Sequence, residues 1–317
     1  MEKYGIYQVT IALPFRLNHV HCYLARQQKG WTILDAGLNR PETQKTWQEA
    51  FDRYSINPQE EINQVILTHY HPDHLGFSGA LQTWTQAPVF MSKEGQYVAQ
   101  TLWQPSSYER LYQFFQNHGL PLPLLKQMSD YDKGFQSFIR LPEQFHTIEE
   151  GQKIQLGELT YEAILTGGHA EGHLCFYNEE EKVFLGGDHL LRRITPNISY
   201  YGHGEENPLQ VYMDSLQKLQ TLDISMVIPG HGPVFHDAQE RILEILHHHE
   251  ERLEIVLDHI KGERTAYQIC QSLFNRELTL HEQRFAMGET LAHLYYLVEK
   301  GEIHKKAEAS GEIFFSR

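Results

Sequence analysis

His69-Tyr70-His71-Pro72-Asp73-His74 packs three imidazoles and a carboxylate into six positions, directly after Val65-Ile66-Leu67-Thr68, a run of strand character. Imidazole and carboxylate together suit a borderline divalent cation such as zinc. Pro72 stiffens the turn, and a short turn at a strand end can aim alternate side chains at two adjacent ions. A solvated loop is the simplest account of a lone histidine. Four candidate ligands in this arrangement favour a metal.

Three later stretches share this character. Gly167-Gly168-His169-Ala170-Glu171-Gly172-His173, Gly186-Gly187-Asp188-His189 and Pro229-Gly230-His231-Gly232 each follow a strand-like run and set a potential ligand beside glycine. Glycine allows close backbone approach and unusual dihedrals, which crowded ligand loops need. Any one of these stretches is weak alone. Together with the first, in this order, they describe a composite metal site.

The 317 residues, 41% hydrophobic and 21% charged, have globular composition and suffice for one large domain and a small one. No apolar stretch reaches the ~18 residues of a membrane span, and Met1-Glu2-Lys3-Tyr4 lacks a basic segment followed by an apolar block. A cytoplasmic chain without a membrane partner is expected. Cys22, Cys175 and Cys270 are odd in number and far apart, which fits a reducing compartment and argues against a disulfide framework. The formal net charge is −14, and residues 236–317 carry 10 Lys and Arg against 15 Asp and Glu. Long-range attraction to a polyanion is therefore not the default, although a local basic groove would still admit nucleic acid.

Short strands are expected at Tyr7–Leu13, Val20–Ala25, Trp31–Leu34 and Val65–Thr68, with a helix over Pro41–Tyr54. Residues 93–145 read as a helical insert, a pair of helices whose aromatic residues pack onto the core or cover a cleft. Strands return at Lys153–Gln155, Tyr161–Leu165, Leu174–Tyr177 and Lys182–Leu185, followed by a helix near Leu209–Gln220 and a strand at Met226–Ile228. Beyond His236 the pattern is almost wholly helical, so the chain divides into residues 1–235 and 236–317. Helices over Thr265–Phe274 and Glu282–Lys300, then a hairpin turning at Ser310-Gly311, give the second part a winged-helix silhouette. The acidic balance favours packing or homodimer formation over DNA contact. His247-His248-His249 reads as a polar helix face.

Through His69-x-His71-x-Asp73-His74, His169, Asp188 and His231, residues 5–235 resemble the metallo-β-lactamase superfamily. The resemblance implies an α/β fold, an αββα sandwich with metals at one edge. It assigns one ion to His69, His71 and His169, a second to Asp73, His74 and His231, and the bridge to Asp188. Asp35 matches an aspartate that supports the site from below. His173 is expected to support structure, and His189 to stand behind the ligands or face substrate. The tail, notably Phe285-Ala286-Met287-Gly288-Glu289-Thr290-Leu291-Ala292-His293-Leu294, resembles a winged-helix segment found in part of that superfamily.

Two ions ~4 Å apart can share a water and lower its pKa towards 7, which makes a hydroxide nucleophile at neutral pH. The expectation is a binuclear hydrolase of a small ester, thioester or lactone-type substrate, most similar to the hydroxyacylglutathione-hydrolase-like branch. Zinc is the expected metal, with iron or manganese as alternatives, and Asp73 is the expected proton carrier. Arg192, Tyr200 and His203 are the candidates for substrate contact. A phosphodiesterase or ribonuclease and a di-iron redox protein are the competing functions.

Overall fold

The structure is a computed structural model and describes residues 1–274 and 276–317. Six strands form the first sheet in the order β1 (Ile6–Ala12), β2 (His19–Arg26), β3 (Trp31–Leu34), β4 (Ile62–Ile66), β5 (Val89–Met91) and β6 (Phe145–Thr147). In the second sheet β7 (Lys153–Leu156), β8 (Leu159–Thr166), β9 (His173–Asn178) and β10 (Val183–Gly187) lie side by side in chain order, and β11 (Met226–Pro229) pairs in parallel with β10.

The period of two in strand β2 shows how the layers form. Val20, Cys22 and Leu24 point into a core shared with Trp47 and Phe51, while Tyr23 and Ala25 point into the core between the two sheets. That central core joins Leu34 and Ile66 of the first sheet to Tyr161, Phe176, Leu185 and Ile228 of the second. Helices α1 (Pro41–Tyr54), α2 (Pro58–Glu61), α3 (Pro72–Leu75) and α4 (Ser78–Thr85) belong to the first sheet's side. On the second sheet's side lies α8 (Pro208–Leu219), whose Leu209, Tyr212 and Leu216 pack with Cys175 and Phe184. The result is the expected αββα sandwich.

Residues 93–145 hold three helices, not the expected pair: α5 (Lys93–Leu102), α6 (Pro105–Asn117) and α7 (Leu122–Phe135). Ser92 caps α5 by accepting from the Gly95 amide, and Pro105 occupies the first turn of α6. The tail consists of α9 (Ala238–His259), β12 (Arg264–Thr265), α10 (Ala266–Leu273), α11 (Leu280–Glu299), β13 (His304–Ala307) and β14 (Ile313–Ser316). Thr265 with Gln268 and Thr279 with Glu282 form capping boxes that fix the starts of α10 and α11. Strand β12, which the sequence did not announce, pairs with β14. Ile269, Met287, Leu291, Leu294 and Phe315 continue the core of α8 and the second sheet without a break.

His247-His248-His249 is not a uniform polar face. His247 is exposed beside Glu250 and Glu251, whereas His249 is buried, 3% exposed, with its Nδ1 3.5 Å from His293 Nε2. Cys22, Cys175 and Cys270 are buried free thiols. Among the described residues no helix is long and apolar enough to cross a membrane.

Candidate metal centre

Four loops at strand ends bring the predicted donors together. His69, His71, Asp73 and His74 follow β4 and run into the short helix α3; His169 lies between β8 and β9, Asp188 follows β10, and His231 follows β11. Three overlapping donor groups result: His69, His71 and His169; His69, His74 and Asp188; Asp73, His74 and His231. In each group one ligand atom per residue lies within 4.8 Å of the others. His231 Nε2 is 3.2 Å from Asp188 and 3.3 Å from Asp73, His74 Nε2 is 3.3 Å from Asp188, and His169 Nε2 is 3.7 Å from Asp188.

What turns these imidazoles is a set of acceptors behind them. Nδ1–H of His74 donates to Asp35 at 2.7 Å, that of His69 to the Thr68 hydroxyl at 3.0 Å, that of His169 to the Asn197 carbonyl at 2.9 Å, and that of His231 to the His19 carbonyl at 2.6 Å. Each bond keeps a proton on Nδ1 and directs Nε2 towards the cluster, where it can serve a cation once it carries no proton. His71 differs: its Nδ1 faces His69 Nε2 at 3.0 Å. Asp35 also accepts from the Thr68 amide and hydroxyl, and its backbone takes φ +62°, a conformation uncommon for a residue with a side chain.

Charge on the site is divided in a way that suits cations. Burial opposes ionisation of Asp73, but His74 and His231 outweigh it and pull the carboxyl down to about 2. Burial likewise opposes a charge on His231, yet Asp188 and Asp73 raise it to about 10, and the same carboxylates with Asp35 raise His74 well above the usual imidazole range. Burial and the neighbouring imidazoles push His71 down to about 3 and His69 well below its ordinary value. Buried His74 Nε2, His169 Nε2 and Asp188 Oδ1 have no hydrogen-bond partner. Orphaned buried atoms of this kind are costly unless something binds them, and divalent cations fit the donor set.

His173 accepts the Asp188 amide on Nε2 at 3.1 Å and meets the Thr166 hydroxyl through Nδ1, so it braces the loop of Asp188. His189 is fully buried, with Nε2 2.9 Å from the Ser215 hydroxyl and its ring against Tyr212, behind the ligand loops. The Arg192 guanidinium is committed to Asp237 and Glu244. The Tyr200 ring packs on Tyr295 and Phe114, and His203 is exposed.

Sequence reasoning passed over His19, His21 and Tyr23, which alternate along one face of β2. Gly232 donates its amide to His19 Nε2, His21 Nε2–H donates to the Gly232 carbonyl at 3.0 Å, and the Tyr23 hydroxyl donates to the Pro229 carbonyl at 2.6 Å. Together they hold the loop that carries His231. A polar face on an otherwise buried strand was the available signal. Beside this loop runs an open groove of about 630 Å³, lined by Gln8, Thr10, Asn18, His19, His21 and Arg193.

A four-layered sandwich with clustered His and Asp donors at its strand ends defines a metal-dependent hydrolase. Residues 16–231 match the model of the metallo-beta-lactamase superfamily, and the chain belongs to that superfamily. Residues 253–317 match its metallo-beta-lactamase-like C-terminal domain. The chain is 29% identical to the probable metallo-hydrolase YqjP of Bacillus subtilis, over 93% of this chain and 92% of that protein. A metallo-beta-lactamase family protein of Thermus thermophilus superposes with a TM-score of 0.88 at 29% identity, over 99% of both chains. A beta-lactamase domain protein of Burkholderia ambifaria gives 0.87 at 28%, over 99% of this chain and 92% of that one.

Proposed function

We propose that the chain is a binuclear hydrolase of a small ester, thioester or lactone-type substrate, in a hydroxyacylglutathione-hydrolase-like branch of its superfamily. The observation that carries this reading is the convergence of the donors, with four imidazoles pinned through Nδ1 and three buried donor atoms left without partners. On this reading His69, His71 and His169 hold one ion, Asp73, His74 and His231 hold the second, and Asp188 serves both. Zinc suits the ligand set, which also accommodates iron or manganese. When bound, such ions supply a water of lowered pKa and polarise the oxygen under attack. Asp73, its side chain 21% exposed, is the donor placed to pass a proton to solvent or leaving group.

An apolar wall supports an acyl substrate. Phe15, from the loop between β1 and β2, stacks on His281 of α11 at 5.1 Å and on Phe135 of α7 at 5.7 Å. Phe138 beside them is anchored near the metal turn: Asn39 donates to its carbonyl, and Arg140 donates to the Gly76 carbonyl just past α3. Arg284 is held by buried Asp132 and Arg16 pairs with Glu282, which speaks against a phosphate as the group this wall receives.

Phosphodiester cleavage is the second reading, favoured by the helix and strand order of the tail, which suits a winged helix. Against it, α11 is buried through Met287, Leu291, Leu294 and Leu297, Lys305 lies over the Tyr295 ring, and Lys306 pairs with Glu263. We retain the division into 1–235 and 236–317 as part of the proposal. The test is a panel of thioester, lactone and phosphodiester substrates run on the metal-loaded chain and on Asp188→Ala. Hydrolysis of an acyl substrate that disappears in Asp188→Ala is expected. Full activity in that variant, or turnover of phosphodiesters alone, would refute the proposal.

A further inference from the structure

We infer that helix α11 of the tail is a positioning element of the metal centre, acting through Gly288 and the loop 197–201 on His169. The inference rests on the proposed metal role of His169 and gives the C-terminal segment a part in it.

The link is a chain of short contacts. Nδ1–H of His169 donates to the Asn197 carbonyl at 2.9 Å, the sole backbone tether of that ring among its described hydrogen bonds. Ser199 Oγ is hydrogen bonded to Asn197 Oδ1, which stiffens the turn carrying this carbonyl. Two residues on from Asn197 the loop drops into a notch in α11. The Tyr200 amide donates to the Gly288 carbonyl at 3.0 Å. A Cβ at position 288 would stand 2.6 Å from Ser199 Oγ, 2.7 Å from Tyr201 Cε1 and 2.8 Å from Ser199 Cβ. All three separations are closer than real carbons approach, so any side chain at 288 must displace the loop.

Rings on either side keep the loop seated. Tyr200 packs on Tyr295 of α11 at 4.6 Å and on Phe114 of α6 at 5.5 Å, and Tyr201 packs on Phe115 at 6.0 Å with the Arg284 guanidinium 6.0 Å from its ring. The helix itself is fixed through Met287, Leu291 and Leu294 in the core shared with α8. Displacement at 288 therefore passes to the loop, the softer partner, and from there to the Asn197 carbonyl.

Glycine in a helix interior is otherwise unfavourable relative to alanine. Gly288 has no positive φ to justify it, which leaves close approach as its physical reason. A merely structural notch would make a Gly288→Ala change act on stability alone. A positioning role makes it act on one metal and spare the other, since His74 is held by Asp35 and His231 by β2 instead.

The experiment titrates the metal-free full-length chain with cobalt(II), followed by visible absorption, in wild type, Gly288→Ala, Tyr200→Ala and Gly288→Ala/Ser199→Gly. Wild type should take up two ions. Gly288→Ala should weaken one at least tenfold and leave the other within threefold, and Tyr200→Ala should act in the same direction but less. Ser199→Gly removes two of the three clashing atoms, at the loss of the hydrogen bond to Asn197, and should restore part of the affinity. A second readout needs no metal: 15N spectra of the His169 ring should show the Nδ1-protonated tautomer in wild type and a mixed population in Gly288→Ala. Unchanged cobalt affinities with an unchanged tautomer overturn the inference, as does equal weakening of both ions. A wild-type chain that binds only one ion would instead overturn the binuclear reading, while the tautomer comparison would still decide the role of Gly288.

Discussion

Replacing Asp35 by asparagine tests the support of the site with little change of shape. The carboxylate accepts three hydrogen bonds in a buried setting: the Thr68 amide at 2.8 Å, the Thr68 hydroxyl at 2.8 Å and His74 Nδ1–H at 2.7 Å. The amide oxygen of asparagine can keep the Thr68 contacts, but its NH₂ then faces His74 Nδ1, where two donors cannot meet. His74 must give up its Nδ1 proton and keep one on Nε2, the nitrogen directed at Asp188 and Asp73. Such changes behind a ligand typically cost about 10–100-fold in metal affinity, which corresponds to roughly 1.4–2.7 kcal/mol. Competition titration with a chromophoric chelator should show one ion weakened by that factor, with activity lost at limiting metal and recovered in excess. Wild-type affinity for both ions in Asp35→Asn would refute the tautomer argument.

Metal uptake should release protons. His231, raised to about 10, and His74, raised well above the ordinary range, are protonated at pH 7.5 in the metal-free chain and must lose those protons to bind. Calorimetry in buffers of different ionisation enthalpy should therefore find about two protons released per chain, and none would contradict the assignment. By the same linkage, these imidazoles stabilise the metal-free fold fully below pH 6.5, and denaturant titrations should show this contribution being lost as the pH rises through about 10. The buried pair His249 and His293 has the opposite sign. Burial and their mutual repulsion lower His249 to about 3, and burial above all lowers His293 to about 4. Their contribution is present above pH 6.5 and falls by up to ~1.4 kcal/mol per pH unit per histidine on acidification. His249→Phe should flatten the acid limb of a urea-unfolding series, and an unchanged slope would count against this account.

Much of the centre was legible because its chemistry is local in sequence. The crowded turn at 69–74 and the Gly-flanked His169, Asp188 and His231 each declare themselves within a few residues, and all converge in the fold. What holds them was harder to read. The acceptors behind His169 and His231 are backbone carbonyls of Asn197 and His19, which no residue type advertises. The role of Gly288 has no signature in the sequence, since only the loop packed against it gives its small size a meaning. The burial of His249 was within reach: Ile242, Ile245, Leu253 and Val256 are the buried residues on its side of α9, and 249 continues their helical spacing. The third helix of the insert was concealed at Gln104-Pro105, where proline marks a helix start as readily as a turn.

Anomalous diffraction at the metal absorption edge, from crystals of the chain purified without chelators, tests the central claim most directly. Two peaks are predicted, one within reach of His69, His71 and His169 and the other of Asp73, His74 and His231, with Asp188 between them. A single peak, or none among these seven side chains, would contradict the binuclear centre on which the proposed chemistry depends.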